Sequence, residues 1–147
     1  MPSVLFVCLG NICRSPMAEM VLKARRPEFT LIRSAGTSAV GGSMDARAAA
    51  TLERAGIKAD RKFRSRQVEA ADFERYDLIV AMDSRNFADL VELRPPGAKA
   101  ELRLLLDFAP GCEGQDVPDP YYGPIAGFER ALALITRAVD SLAQSGA

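Results

Sequence analysis

The sequence predicts an α/β fold: a four-stranded parallel sheet flanked by helices on both faces. Three observations point there. Short apolar runs fit for buried strands alternate with amphipathic stretches at helical spacing, the pattern of strand–helix–strand crossovers. The 147 residues are 48% hydrophobic and 26% charged, which suits a packed core and not a disordered chain. No repeat, low-complexity tract, charge block or long linker divides the sequence, so residues 1–147 read as one domain.

Each element follows from local chemistry. Residues 4–8 are continuously apolar, as in a strand covered on both faces. Ser15 and Pro16 then suit the cap and first position of a helix that carries Met17, Met20, Val21 and Ala24 on one side. Residues 29–33 read as a second strand. Asp45 caps a helix through Ala55, and Gly56 stops it. Residues 78–82 form a third buried strand, and Asp83 caps a helix with Phe87, Leu90 and Val91 that ends at Pro95-Pro96-Gly97. Residues 101–106 make the fourth strand. In the last helix, Phe128, Ala131, Leu132, Ile135, Ala138, Val139 and Leu142 form one apolar stripe. Ligands of such sheets bind beyond the carboxyl ends of the strands, and Cys8 stands at that end of the first.

Composition narrows the chemistry. Nineteen basic residues balance nineteen acidic ones, which gives no pull toward nucleic acid or an anionic membrane. The apolar runs fall far short of the roughly 20 residues of a membrane span. No export signal is visible at the N-terminus and the three cysteines are an odd number, so a reducing cytoplasm is expected. The chain contains no histidine, which excludes Ser-His-Asp triads, Cys-His dyads and helical zinc-hydrolase motifs. Neither a metal nor a cofactor is expected, and acid–base work falls to Asp, Glu, Tyr, Lys or Cys.

The loop after the first strand, Cys8-Leu9-Gly10-Asn11-Ile12-Cys13-Arg14-Ser15, reads as an anion cradle. Gly10 and Asn11 tolerate the left-handed backbone that turns successive N–H groups toward one point. The following helix adds its positive end, and Arg14 adds a planar fork for two phosphate oxygens. A thiol in that field is expected to be a thiolate, so Cys8 is the candidate nucleophile. Ser15 is placed to hydrogen-bond the sulfur. A lone cysteine at a strand end is usually a small buried hydrophobe. Here Cys and Arg lie five residues apart, with Gly-Asn between them and Ser-Pro after.

The second element is Val117-Pro118-Asp119-Pro120-Tyr121-Tyr122-Gly123. Asp119, stiffened by two prolines and enclosed by aromatic rings, is the candidate general acid, with a pKa expected to be raised by that enclosure. Asp116 is the first alternative. Tyr121 and Tyr122 are candidates for an aromatic wall that takes a phenyl ring.

These motifs resemble the low-molecular-weight protein tyrosine phosphatases of bacterial type. The resemblance extends through Ser34-Ala35-Gly36-Thr37, Arg66-Gln67, Met82-Asp83 with Asn86, and Asp119-Pro120-Tyr121-Tyr122-Gly123. It implies that Cys8 is the nucleophile, Arg14 the phosphate clamp, Ser15 the thiolate helper and Asp119 the acid, then base. The loop of Leu9, Gly10, Asn11, Ile12 and Cys13 would bind phosphate. Asn11 and Ser34 would hold it in its strained shape, and Cys13 would capture an oxidised Cys8 as a disulfide. The implied substrate is a phosphotyrosine protein, and the implied product is inorganic phosphate. Two departures stand out. Phe63 occupies the position where the family usually has a histidine, and residues 37–45 are shorter than usual, with Val40 near the place of a large aromatic.

Cys112 in its turn and the basic residues 61–66 read as a bystander and a solvated loop, and Met17 and Met20 as helix core. A thiol-dependent arsenate reductase would need further cysteines after the third strand, and none lies between residues 82 and 110. A pure phosphate-binding module would need neither a thiolate nor an acid.

Overall fold

The computed structural model describes residues 2–25 and 28–145. Strands β1 (Ser3–Cys8), β2 (Leu31–Gly36), β3 (Leu78–Ala81) and β4 (Glu101–Leu104) form one sheet in the order β2-β1-β3-β4. Every pairing is parallel, with Cys8 opposite Gly36 and Val7 opposite Ala81. The chain leaves β1 toward one side of the sheet and returns to the other. The carboxyl end of β1 is therefore the switch point at which such sheets form a crevice.

The described residues form five α-helices, α1 (Arg14–Arg25), α2 (Ala46–Arg54), α3 (Asp72–Arg75), α4 (Ser84–Leu93) and α5 (Ile125–Ser145). The two-residue period of a strand divides the core between the two faces. Val4, Phe6 and Cys8 join residues of α1, α2 and α5, whereas Leu5 and Val7 join Phe73 of α3 and Leu90 of α4. Phe6, Phe73 and Phe128 are fully buried. Truncating any of them to Ala is expected to cost about 3–5 kcal/mol.

Caps at Asp45 and Asp83 form as expected. Asp45 accepts from the Arg47 N–H and Asp83 from the Asn86 N–H, and Gly56 ends α2 with φ +79°. Other boundaries move. Arg14 opens α1, so Ser15 sits inside its first turn and not at the cap. β2 runs later than 29–33 because Ser34, Ala35 and Gly36, which carry little strand signal, pair with Phe6, Val7 and Cys8. Phe29 packs into the core from the preceding turn. β3 ends at Ala81, one residue early, although the Met82 N–H still donates to the Val7 carbonyl. β4 stops at Leu104, and Leu105–Phe108 form a 3-10 turn that buries Leu105 and Leu106. An apolar run alone does not separate strand from buried turn. The four-residue α3 went unforeseen. Among the described residues, no helix is long and apolar enough to cross a membrane.

Candidate active site

Residues 9–13 leave β1 and curl under the start of α1. Asn11 alone carries the left-handed backbone, at φ +58°; Gly10 does not share it, contrary to expectation. Such a conformation costs a non-glycine residue about 1–2 kcal/mol, so something must hold it. The Asn11 side chain does so. Its Nδ2 donates to Ser15 Oγ at 2.8 Å and to Ser34 Oγ at 3.0 Å, and its Oδ1 accepts from the Arg66 N–H at 3.0 Å.

The loop carbonyls are tied outward. Those of Leu9, Gly10 and Ile12 accept from the N–H groups of Ser38, Val40 and Asp45, and that of Gly10 also accepts from the Ser65 hydroxyl. With the oxygens directed away, the N–H groups of residues 9, 10, 12 and 13 take no part in the hydrogen bonding of the described residues. Inward amides beside a helix start make an electropositive nest.

Cys8 is buried at the centre of this nest. Its Sγ lies 2.9 Å from Ser15 Oγ and accepts the Asn11 N–H at 3.2 Å. Arg14 is equally buried and firmly aimed. Its NH1 donates to Asp83 Oδ2 at 2.7 Å and to the Val117 carbonyl at 2.8 Å, which uses both NH1 hydrogens. The Nε and NH2 side of the fork remains, with NH2 3.5 Å from Asp119 Oδ2. Cys13 is a buried thiol, pushed up to about 12 by burial first and by the charge of Asp45 next. It is therefore uncharged at neutral pH.

Asp119 corrects one expectation. Its side chain is 41% exposed, and it has partners: Oδ1 accepts the Tyr121 N–H at 3.1 Å and Oδ2 faces Arg14. Prolines on either side stiffen a surface loop without enclosing it. Tyr121 and Tyr122 meet edge to face at 4.8 Å on the rim, with Tyr122 almost fully exposed. Asp116, the alternative acid, instead accepts from the N–H and hydroxyl of Ser84. One cleft of about 280 Å³ gathers Cys8, residues 9–14, Asp119 and both tyrosines.

A family model described as low molecular weight phosphotyrosine protein phosphatase matches residues 3–146. The chain belongs to this family. The low molecular weight protein-tyrosine-phosphatase of Streptomyces coelicolor is 41% identical over 149 residues, covering 95% of this chain and 90% of its own. The crystal structure of the Vibrio cholerae low molecular weight phosphotyrosine phosphatase superposes with a TM-score of 0.89 at 37% identity, covering 99% of this chain and 97% of that one. Wzb of Vibrio vulnificus, solved in complex with benzylphosphonate, gives 0.86 at 31% identity and covers 98% of both chains. The chain is accordingly an enzyme of the protein-tyrosine-phosphatase class.

Several residues take tasks in this phosphatase cleft that the sequence does not mark. Asp83, read as a cap and as part of the Met82-Asp83 motif, also grips Arg14. A Cβ at Gly36 would come within 2.6 Å of the Leu9 carbonyl oxygen, so the loop needs glycine there. Arg47, fixed by Asp45, lies over the rings of Tyr121 at 5.3 Å and Phe128 at 4.6 Å. Phe63 is buried in the core, and the loop is braced by Ser65, Arg66 and Ser34. Val40 lines the cleft and is largely exposed.

Proposed function

We propose that this phosphatase hydrolyses phosphotyrosine in proteins, and aryl phosphate monoesters generally, through a cysteinyl-phosphate intermediate. The observation that carries the reading is Cys8 Sγ, held by the Ser15 hydroxyl and the Asn11 N–H in one cleft with the buried fork of Arg14. The amides of Leu9, Gly10, Asn11, Ile12, Cys13 and Ser15 with Arg14 bind the phosphate dianion. Sulfur attacks phosphorus, the ester P–O bond breaks, and Asp119 gives its proton to the leaving phenolate. Asp119 then takes a proton from water, which attacks phosphorus and expels the thiolate to release inorganic phosphate. The ring and fork hold the charge that grows on the equatorial oxygens in both steps. Ser15 eases departure of the sulfur, and Ser34 supports the loop through Asn11.

Tyr121 and Tyr122 flank the ring of the substrate. A relative that binds benzylphosphonate, a phenyl group on a one-carbon arm, supports an aromatic leaving group. Residues 1–147 act as one phosphatase domain in the cytoplasm, with a phosphotyrosine protein as partner and neither nucleic acid nor membrane involved. Cys13 serves in redox protection by forming a disulfide with oxidised Cys8. The steps as written need no metal or cofactor, so EDTA leaves the rate unchanged.

Cys8→Ser tests the reading. Its kcat falls by several orders of magnitude while inorganic phosphate still binds. A variant retaining more than a tenth of kcat overturns the covalent route.

A further inference from the structure

We infer that Glu19 is a positioning residue that fixes the direction of the hydrogen-bond chain ending on the Cys8 sulfur. Glu19 lies on α1 one turn after Ser15 and is buried. One carboxylate oxygen accepts from Lys23 Nζ at 2.7 Å, and the other accepts from the Ser34 hydroxyl at 2.6 Å. A carboxylate of this kind only accepts. The hydrogen of Ser34 is thereby committed to Glu19, which leaves the Ser34 oxygen to accept from Asn11 Nδ2 at 3.0 Å.

The consequence passes along the chain. The Asn11 amide has two orientations. In the one observed, Oδ1 faces the Arg66 N–H and Nδ2 faces both serines. In the other, Oδ1 would accept from Ser34 and Ser15, and the Ser15 hydrogen would be lost to the sulfur. Two anchors exclude that state: the Arg66 N–H at one end, and Glu19 through Ser34 at the other. With Asn11 fixed, Ser15 Oγ is an acceptor toward it and has one hydrogen to give. That hydrogen goes to Cys8 Sγ at 2.9 Å in preference to the Ala35 carbonyl at 3.4 Å. Glu19, Ser34, Asn11, Ser15 and Cys8 are all buried, so water does not randomise the order.

The inference rests on the covalent route proposed above, because the Ser15 hydrogen matters most when sulfur leaves phosphorus as a thiolate. The test compares Glu19→Met, which keeps volume but removes the acceptor, with Glu19→Gln, which keeps an acceptor oxygen for Ser34. Steady-state rates on an aryl phosphate are combined with acid-quench trapping of phosphocysteine. Glu19→Met lowers kcat about tenfold, the scale of one hydrogen bond to a charged group. KM stays within about twofold because the amide ring and Arg14 are untouched, and more phosphocysteine is trapped. Glu19→Gln recovers kcat to within about threefold of the parent. Ser34→Ala reproduces the Met effect, and the Glu19→Met/Ser34→Ala double variant is no slower than the slower single one.

Wild-type kcat in Glu19→Met, equal loss in Gln and Met, or multiplying losses in the double variant each overturn the inference. If Glu19→Met does not fold, Ser34→Ala with and without Glu19→Gln decides, since Gln must add no further loss in that background. Phosphocysteine trapped equally from parent and variants overturns the role of Glu19 alone. Phosphocysteine trapped from none, the parent included, overturns the covalent route and this inference with it.

Discussion

Asp83 grips Arg14 through a 2.7 Å ion pair while its other carboxylate oxygen caps α4. One side chain thus joins the start of a helix to the aim of the Arg14 fork. Asp83→Asn separates the two roles, because Asn caps a helix nearly as well as Asp. Tm should stay within a few degrees while kcat/KM for an aryl phosphate falls about tenfold. Arg14→Lys should lose at least about a hundredfold, because a point charge does not replace a planar fork.

Asp119 is exposed beside Arg14, so its task is read best from leaving groups. Phenolate needs a proton, whereas nitrophenolate departs with much less help. Asp119→Asn should cost more kcat with phenyl phosphate than with the nitrophenyl ester and should flatten the basic limb of kcat/KM for the former. Asp116→Asn, altered where Ser84 holds it, should behave like the parent enzyme.

Cys13 is uncharged at neutral pH, so peroxide should oxidise Cys8 first. Dithiothreitol should then restore activity through a Cys8–Cys13 disulfide, and recovery should be largely lost in Cys13→Ser. A peptide map pairing Cys8 with Cys112 would refute this. The same burial has a stability consequence. The unfolded thiol ionises near pH 9 and the folded one near 12, so the unfolded state loses its proton first and stability drains across that window. Cys13→Ala should flatten the fall of Tm between pH 9 and 11.

Gly36 and Gly10 should respond oppositely to an added methyl. At Gly36 the new carbon would meet the Leu9 carbonyl oxygen at 2.6 Å, and Gly36→Ala should lower both Tm and kcat, the latter by about tenfold or more. At Gly10 the nearest atoms are side-chain carbons at 3.7 Å, so Gly10→Ala should keep its Tm within a few degrees.

Asp72 is fully buried and accepts from Arg66, Arg75 and the Glu69 N–H. Burial opposes its charge, but those hydrogen bonds prevail and hold the carboxyl below the ordinary carboxylate range. Its contribution is complete above the unfolded value near 3.8 and is lost as pH falls through the lower folded value. Asp72→Ala removes the acceptor shared by Arg66, Arg75 and the Glu69 N–H and should destabilise the protein by about 3 kcal/mol. It should also lower kcat, since the Arg66 N–H holds Asn11. Chemical denaturation at pH 7 and pH 3 checks the sign, with the gap between parent and variant smaller at pH 3.

The sheet and helices α1, α2, α4 and α5 were legible from their apolar patterns and caps, and the four-residue α3 was too short to show one. The loop was legible because Cys8, Asn11 and Arg14 lie close in the chain and their chemistry is local. What escaped depends on partners distant in sequence. Asp83 lies 69 positions from Arg14 and Arg66 lies 55 from Asn11, and neither carries a local mark of its second task. Gly36 looks like any small residue until the Leu9 carbonyl is set against it. The exposure of Asp119 was misjudged because prolines and aromatic rings report stiffness and apolarity, not whether the rest of the protein covers the segment.

Arg14 is steered by the carbonyl of Val117, which belongs to an irregular stretch that ends only where α5 begins. Activity is thereby tied to an irregular segment that is anchored beside the sheet by the Val117 N–H on the Met82 carbonyl and otherwise bonds its backbone to near neighbours in the chain. Such segments open first under mild denaturation. Catalysis should fade at a urea concentration below that which melts the helices, so a partly loosened molecule would be silent long before it is unfolded.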